Sequence, residues 1–405
     1  MEIEEAKRLW TERMVSITET ETLPLFDCCG RVAAEDIFSE IDVPSFPRSA
    51  MDGYAVRSSE LEGACIEKPA VLSVAGEIDA GDVPEHDGNG NAPAYPEKTA
   101  VRIMTGGMIP EGFDAVVKQE DTDYGETKVS IYRSVPPFMN YCPVGENFGK
   151  GALLVKKGEL FGRPAIGTIA AAGIDKVKAV RKPRLAIINT GSELLGPGEK
   201  PEPGKIYSSI GAMLRCAAER SGAETVLLTI CPDDRQTIID TLKKAIKTAD
   251  IVITTGGVSV GKKDLIPDMI EGLGGNILFR RVNIQPGTPS LGAMVKGKPV
   301  LALSGNPYAA LVNFDIYFYA ALSKLTGCKA LLPKEGVAVM QNDYKKQNFH
   351  RRFIRARVCF GKVETEADNR SSVISNMAEC NCYADIPAGT CLKAGDEVRI
   401  MMMPG

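Results

Sequence analysis

Four short stretches of this 405-residue chain gather residue types that can do chemistry. They are NTGSEL with Glu193, CPDD with Asp233, TTGGVSVGKKD from Thr254 to Asp264, and SGNP with Asn306 and Pro307. From Gly256 the third runs Gly, four residues, Gly261 and Lys262, which is one residue short of a phosphate-binding P-loop. That motif needs Ser or Thr next, to hold magnesium, and this chain supplies Lys263 and then Asp264. The chemistry on offer is therefore different. Backbone amides of Gly256, Gly257 and Ser259 can cradle an anion, while the carboxylates Glu193, Asp233 and Asp264 are the hard oxygen ligands that a divalent ion prefers. Singly, each stretch has a plain structural reading: a tight turn at the glycines, a helix N-cap at Asp233 or Asp234, and a first-turn proline at Pro307.

What makes them a set is the elements around them. LAIIN, TVLLTI, DIVITT and PVLALS are short apolar runs, and helical patterns lie between and after them: SSIGAMLRCAAERSG, DDRQTIIDTLKKAIKTA, LIPDMIEGLGG and the long amphipathic PYAALVNFDIYFYAALSKLTG. Apolar strands alternating with helices indicate a parallel sheet covered on both faces. In such a sheet ligands bind at the carboxyl edge of the strands, and each of the four stretches directly follows a strand.

The rest of the chain reads differently. Ile3, Ala6, Leu9 or Trp10, and Met14 recur at helical spacing, predicting an opening helix. From Leu23 to about Tyr132 short apolar runs are broken by Pro and Gly, which predicts a mostly β unit. PAIGTIAAAGI predicts a small-residue helix packed closely on a neighbour. After Gly327, FIRARVCF, VISNM, CYADI and EVRIMMM predict a small C-terminal β-barrel or sandwich.

Composition excludes several classes. A formal charge of -4 without a concentrated basic run argues against a nucleic-acid substrate. No apolar stretch approaches the length of a membrane span, and the start lacks a signal-peptide pattern. Eleven scattered cysteines, an odd number, suit reduced cytoplasmic thiols. Cys380 and Cys382, and adjacent Cys28 and Cys29, lack Cys-x-x-Cys zinc spacing and read as buried thiols or strand residues. With His86 and His350 as the only histidines, a His-based metal centre or Ser-His triad is not expected.

Taken in order, PSFPRSAMDGYAV, RIMTGGMIPEGFDAVV, NTGSEL, TTGGVSVGKKD, QPGTP and SGNP resemble the MoeA family of molybdopterin molybdenumtransferases over nearly the whole chain. The resemblance implies a multidomain α/β plus β architecture. A split elongated domain would cover 1–45 and 143–180, an inserted β domain 46–142, an α/β domain similar to molybdopterin adenylyltransferases 181–326, and a small C-terminal β domain 327–405. It implies adenylylated molybdopterin and molybdate as substrates, Mg2+ as cofactor, release of AMP, and a homodimer in contact with molybdopterin adenylyltransferase and apo-molybdoenzymes. Carried over by position, Asp52 and Thr105 come from the β domain toward the partner subunit's pocket. Glu193, Asp233 and Asp264 are the acids of the α/β domain. Ser259 and Lys262 lie in its glycine loop, Asn306 and Pro307 in the last strand-end loop, and Arg281 where a basic residue is expected. Without the resemblance, Asp52 and Thr105 read as a turn acid and a turn hydroxyl.

The chain also departs from that pattern. Gln285 and Thr288 stand where some members have the lysines of Lys-Pro-Gly-Lys-Pro, Ser304 replaces the first proline of Pro-Gly-Asn-Pro, and Asn147 replaces an acid. Two other readings share the domain set: adenylyl transfer to molybdopterin, and a non-catalytic scaffold.

Overall fold

The computed structural model describes residues 1–84, 94–258 and 265–404. The chain divides into two compact units, one of Met1–Glu35, Lys157–Arg163 and Lys176–Gly405, the other of Asp36–Lys156 and Pro164–Asp175.

The second unit is built on a five-stranded sheet in the order Ala115–Lys118, Gly53–Val56, Thr99–Ile103, Ala70–Ile78, Lys128–Ile131. The alternation of Tyr54, Ala55 and Val56 sends side chains to opposite faces, and both faces are covered by apolar clusters. Gly53 is required by contact, since a Cβ there would meet the Val117 carbonyl oxygen at 1.9 Å. The strand therefore starts with Asp52 held at the sheet end, its carbonyl accepting from Gln119 N at 3.1 Å. The small-residue helix, Arg163–Ala171, does not pack as its sequence suggests. Ile169 is its one buried residue, and a Cβ on Gly167 would meet nothing within 4 Å.

The first unit opens with α1 (Ile3–Glu12), whose Ile3, Ala6 and Trp10 are buried. It continues through β1 (Arg184–Thr190), α2 (Ile210–Arg220), β2 (Glu224–Cys231), α3 (Arg235–Thr248), β3 (Ile251–Thr255) and α4 (Ile266–Gly272). Then come β4 (Asn276–Arg280), β5 (Ile284–Gln285), β6 (Leu291–Val295), β7 (Lys298–Leu303) and α5 (Pro307–Thr326). Six strands form one sheet in the order β2-β1-β3-β7-β6-β4. The first four are parallel, as apolar strands with helical crossovers require, and β6 and β4 extend the sheet antiparallel. The hairpin is reached through Gly297, at φ 77°, directly before β7.

The C-terminal strands are β8 (Glu335–Met340), β9 (Arg351–Cys359), β10 (Lys362–Thr365), β11 (Cys382–Ile386) and β12 (Glu397–Met402). They join β5 in the order β5-β9-β10-β8-β12-β11, and the β9–β11 pairing closes the barrel. VISNM is not a strand. Its residues turn through a short 3-10 segment at Ser375–Glu379, where Asn376 Oδ1 and the Val373 carbonyl accept from the buried Arg355 guanidinium. Cys382 is buried on β11, and burial pushes its thiol up to about 12 and that of Cys380 up to about 11, so both are protonated at neutral pH.

The long helix α5 is not amphipathic in place. Seventeen of its twenty residues are buried, because the sheet, α1 and the barrel surround it. Each of several polar groups on it meets a partner: Tyr308 Oη donates to the Phe353 carbonyl at 2.7 Å, and Asn313 Nδ2 donates to the Gly287 carbonyl at 2.8 Å. Tyr383 Oη on β11 donates to Asp315 Oδ2 at 2.7 Å. Burial pushes the Asp315 carboxyl up to about 7, against the smaller opposing effect of that hydrogen bond.

The native state thus keeps a proton that the unfolded chain releases at lower pH. This stabilisation is complete below the ordinary carboxylate range and is lost as pH rises toward about 7. Comparing wild type with Asp315→Asn by thermal or denaturant unfolding from pH 4 to 8, the stability difference is expected to move against wild type by about 1.4 kcal/mol per pH unit inside that window and to level off above it. A difference that is flat with pH refutes the buried protonated carboxyl.

Candidate active site

The carboxyl edge of the four parallel strands ends in a cavity of about 190 Å³. Glu193, Asp233, Gly256, Gly257 and Pro307 all line it, drawn from four different loops. Beneath it a row of hydrogen bonds ties the strand ends together. Asn189 Nδ2 donates to the Thr229 carbonyl at 3.3 Å, Thr255 Oγ1 to Asn189 Oδ1 at 2.9 Å, and Thr190 Oγ1 to the Thr255 carbonyl at 3.1 Å. Fixed strand ends give fixed loops.

Asp233 and Asp234, equivalent as cap candidates in the sequence, divide the work. Asp234 is the N-cap of α3, accepting from Thr237 N at 2.8 Å, and the Thr237 hydroxyl followed by that amide holds its carboxyl below the usual range. Asp233 turns instead to the NTGSEL loop. Its Oδ2 accepts from Ser192 N at 3.2 Å while its own amide donates to Ser192 Oγ at 2.9 Å. This reciprocal pair sets the Asp233 carboxylate beside Glu193 on the cavity wall. The Glu193 carboxylate folds over Gly191, where a Cβ would come within 2.6 Å of Oε2. Among the described residues no donor engages that carboxylate.

Gly256 and Gly257 have φ of 86° and 67°, the left-handed region that glycine enters without strain. Added side-chain carbons would strike the Thr190 carbonyl at 2.5 Å and Ile266 Cγ1 at 2.9 Å. The Gly256 amide, expected to face an anion, is spent on the Leu303 carbonyl at 3.0 Å, so the role of Gly256 is conformational. Ser259, Lys262 and Asp264 lie outside the described residues. Asn306 is the residue before α5, without a side-chain cap, and its Nδ2 donates to Ser371 Oγ at 2.7 Å. Arg281 does not line the cavity. It is exposed between β4 and β5 at φ 62°, its amide donating to the Ser290 carbonyl at 2.9 Å.

Several lining residues were not evident in the sequence. Leu194–Leu195 and Ile206–Tyr207 pair as a parallel ribbon, with Ile206 N donating to the Glu193 carbonyl at 2.8 Å. The ribbon brings Tyr207, Ser208 and Ser209 to the cavity at the open N-terminus of α2. Lys205 Nζ donates to the Ser192 carbonyl at 2.5 Å, placing a cation beside the same loop. The one available signal was a serine pair before a helical run. Gly211 lets α2 approach, as a Cβ there would meet Asn189 Nδ2 at 2.4 Å. The open start of α2 thus faces a cavity that also carries two carboxylates, a combination suited to a phosphate group bound with a cation, whereas the first amide of α5, on Tyr308 after Pro307, is spent on the Ser371 carbonyl at 3.1 Å.

In the second unit, Asp52 and Thr105 meet. Asp52 Oδ1 accepts from both Thr105 N and Thr105 Oγ1 at 2.7 Å, and the hydroxyl, then the amide, holds the carboxyl below its usual range. An acid so held stays ionised and fixed in direction.

Comparison with known proteins matches three family descriptions along the chain. "MoeA N-terminal region (domain I and II)" matches residues 1–173, "Probable molybdopterin binding domain" 186–324, and "MoeA C-terminal region (domain IV)" 337–403. Molybdopterin molybdenumtransferase of Staphylococcus epidermidis strain RP62A is 36% identical over 383 residues, covering 93% of this chain and 90% of the relative. That of Staphylococcus aureus strain COL is 35% identical over 386 residues, covering 94% and 90%. The crystal structure of the molybdopterin biosynthesis MoeA protein from Pyrococcus horikoshii OT3 superposes with a TM-score of 0.86 at 31% identity, covering 99% of both chains. With that identity sustained from end to end, the chain belongs to the MoeA family of molybdopterin molybdenumtransferases, transferases of molybdenum cofactor biosynthesis.

Proposed function

We propose that the cavity at the strand ends binds the pyrophosphate of adenylylated molybdopterin, and that molybdenum insertion from molybdate is coupled to release of AMP. The observation that carries this reading is the convergence of Glu193 and Asp233 with the open start of α2 on one cavity. Cleaving the phosphoanhydride joins a water oxygen to phosphorus as the bridging oxygen leaves on the other phosphate. The chain's part is to orient the pyrophosphate and to accept the water's proton. Glu193 is the acceptor we assign, since its carboxylate faces the cavity without a donor among the described residues. Lys205 and the α2 amides add positive potential beside the anion.

A magnesium ion fits this donor set. Magnesium takes one or two carboxylates together with substrate phosphates rather than an all-protein cage, so two acids on the wall suffice even though no cluster of three ligating side chains occurs among the described residues. Glu193 and Asp233 would hold it, with Asp264 as third ligand in this reading; when bound it neutralises charge developing on the phosphate oxygens. We assign Ser259, Lys262, Gly257, Asn306 and Pro307 to substrate binding and Arg281 to a more distant electrostatic role. The four-part division at 45, 142, 180 and 326 goes with this reading. So does a cytoplasmic location, supported by the free state of all eleven cysteines and by the lack of any described helix long and apolar enough to cross a membrane.

Purified protein given adenylylated molybdopterin, molybdate and magnesium is expected to release AMP and yield metal-loaded pterin. Glu193→Ala and Asp264→Ala are expected to abolish AMP release with the unfolding midpoint nearly unchanged, because polar loop acids contribute little core burial. Loss of stability comparable to a core truncation would make these acids structural. Adenylylated product formed from molybdopterin and ATP would replace the reading with adenylyl transfer.

We further propose a homodimer in which Asp52 and Thr105 serve the partner subunit's pocket, working alongside molybdopterin adenylyltransferase and apo-molybdoenzymes. Asp52→Ala and Glu193→Ala subunits, each inactive alone, are expected to recover about a quarter of wild-type AMP release when mixed and allowed to exchange, since half the dimers then carry one intact pocket. No recovery despite demonstrated exchange would place Asp52 in its own subunit's site.

A further inference from the structure

The parallel ladder between β1 and β2 ends at Thr190 opposite Cys231, but the pairing of the two chains continues beyond it. Gly191 N donates to the Cys231 carbonyl at 3.0 Å, and the next residue extends the ladder with its side chain. Ser192 Oγ accepts from Asp233 N at 2.9 Å, and Ser192 N donates to Asp233 Oδ2 at 3.2 Å. The Ser192 carbonyl accepts from Lys205 Nζ at 2.5 Å. Amide, hydroxyl and carbonyl of one exposed loop residue are therefore all engaged by protein groups. An exposed serine needs none of these partners for its own sake, since water satisfies its polar groups.

The ties share an effect on the two acids of the cavity wall. Asp233 is held at its amide and at one carboxylate oxygen, so its side chain does not turn back onto the first turn of α3, where Asp234 is the cap. Glu193 follows Ser192 in the chain, and its own carbonyl accepts from Ile206 N at 2.8 Å, which fixes its backbone from the other side. Joined at Ser192, the two loops keep a set spacing between their acids. Magnesium demands near-ideal octahedral geometry, so a change in that spacing falls on the affinity for the ion.

We propose that Ser192 is a positioning residue, whose hydroxyl and amide set the spacing of the Glu193 and Asp233 carboxylates and so the affinity of the pair for a divalent cation. The inference rests on the reading that these two acids hold the ion. Ser192 itself touches neither ion nor substrate in this role; it acts through Asp233 by hydrogen bonds and through Glu193 by the chain. Removing its hydroxyl leaves the Gly191–Cys231 bond and the row at Asn189, Thr190 and Thr255 in place, so the strand ends keep their support. The Asp233 backbone alone loses a tie.

Manganese binding to the full chain without pterin, followed by loss of the free-ion paramagnetic resonance signal with magnesium as competitor, tests this. Ser192→Ala is expected to weaken manganese about tenfold, the usual scale for removing the partner of a ligating carboxylate, and Ser192→Thr, which keeps the hydroxyl, to stay within about twofold of wild type. Metal-free unfolding midpoints should agree among the three proteins, while manganese at a fixed concentration should raise that of Ser192→Ala least. In AMP release, Ser192→Ala should need about ten times more magnesium for half-maximal rate, with a smaller loss at saturating magnesium. Manganese affinity in Ser192→Ala equal to wild type overturns the inference, and so does Ser192→Thr binding as weakly as Ser192→Ala. Should Ser192→Ala fail to fold, Ser192→Cys decides, since a thiol is a weak acceptor and must also weaken manganese if the role is real. Glu193→Ala is read separately. If it binds manganese as wild type does, or wild type binds none, the metal reading itself fails; if it binds weakly while Ser192→Ala is unchanged, the positioning role alone is defeated.

Discussion

The burial of α5 on all sides is the constraint from which the first unit follows. A twenty-residue helix with seventeen buried residues must be enclosed, and no single layer can do it. The sheet covers one side, α1 another through Trp10 against Tyr317, and the barrel a third through Phe353 and Tyr383. Its polar side chains then have to find partners inside. Asp315 with Tyr383, Tyr308 with the Phe353 carbonyl, and Asn313 with the Gly287 carbonyl are contacts with the barrel or the loop leading to it. They fix how α5 sits against the C-terminal strands. Because α5 begins at Pro307, on the cavity wall, the same contacts bear on the site.

At the carboxyl edge the constraint is space. Gly191, Gly211, Gly256 and Gly257 each stand where a Cβ would fall within 3 Å of a neighbouring atom, and three of the four approach the Asn189–Thr190 strand end or the carboxylate that follows it. Close approach compresses four loops onto one small cavity, and two solvent-accessible acids, Glu193 and Asp233, stand on its wall. The cost of the left-handed turn at Gly256 and Gly257 is met by glycine's freedom, and the Gly256 amide by the Leu303 carbonyl. Function here depends on backbones that approach one another, and on acids carried at their edge.

Much of this was legible in the linear chain. The apolar strands, the helices between them and the loops at their ends follow from periodicity and from the rule that parallel sheets bind ligands at their carboxyl edge, so Glu193, Asp233, Gly256, Gly257 and Pro307 could be gathered before any coordinate was known. Local pattern carries that far because β1, β3 and β7 are buried on both faces and each loop directly follows a strand. Asp52 and Thr105 came from family resemblance alone, since a turn acid and a turn hydroxyl have no local pattern that separates them from ordinary turn residues.

Tertiary structure decided the rest. Asp233 and Asp234 are adjacent acids before a helix, and only the position of Ser192 shows which one caps α3 and which one faces the cavity. VISNM has strand-like composition, but the buried Arg355 claims its carbonyl and amide oxygens and turns it. The apolar pattern of α5 reads as amphipathic until the barrel covers its remaining side. Tyr207, Ser208 and Ser209 reach the site through a two-residue ribbon too short to register in sequence. In each case the deciding contact is long-range, and periodicity, which reports only what neighbours along the chain prefer, carries no information about it.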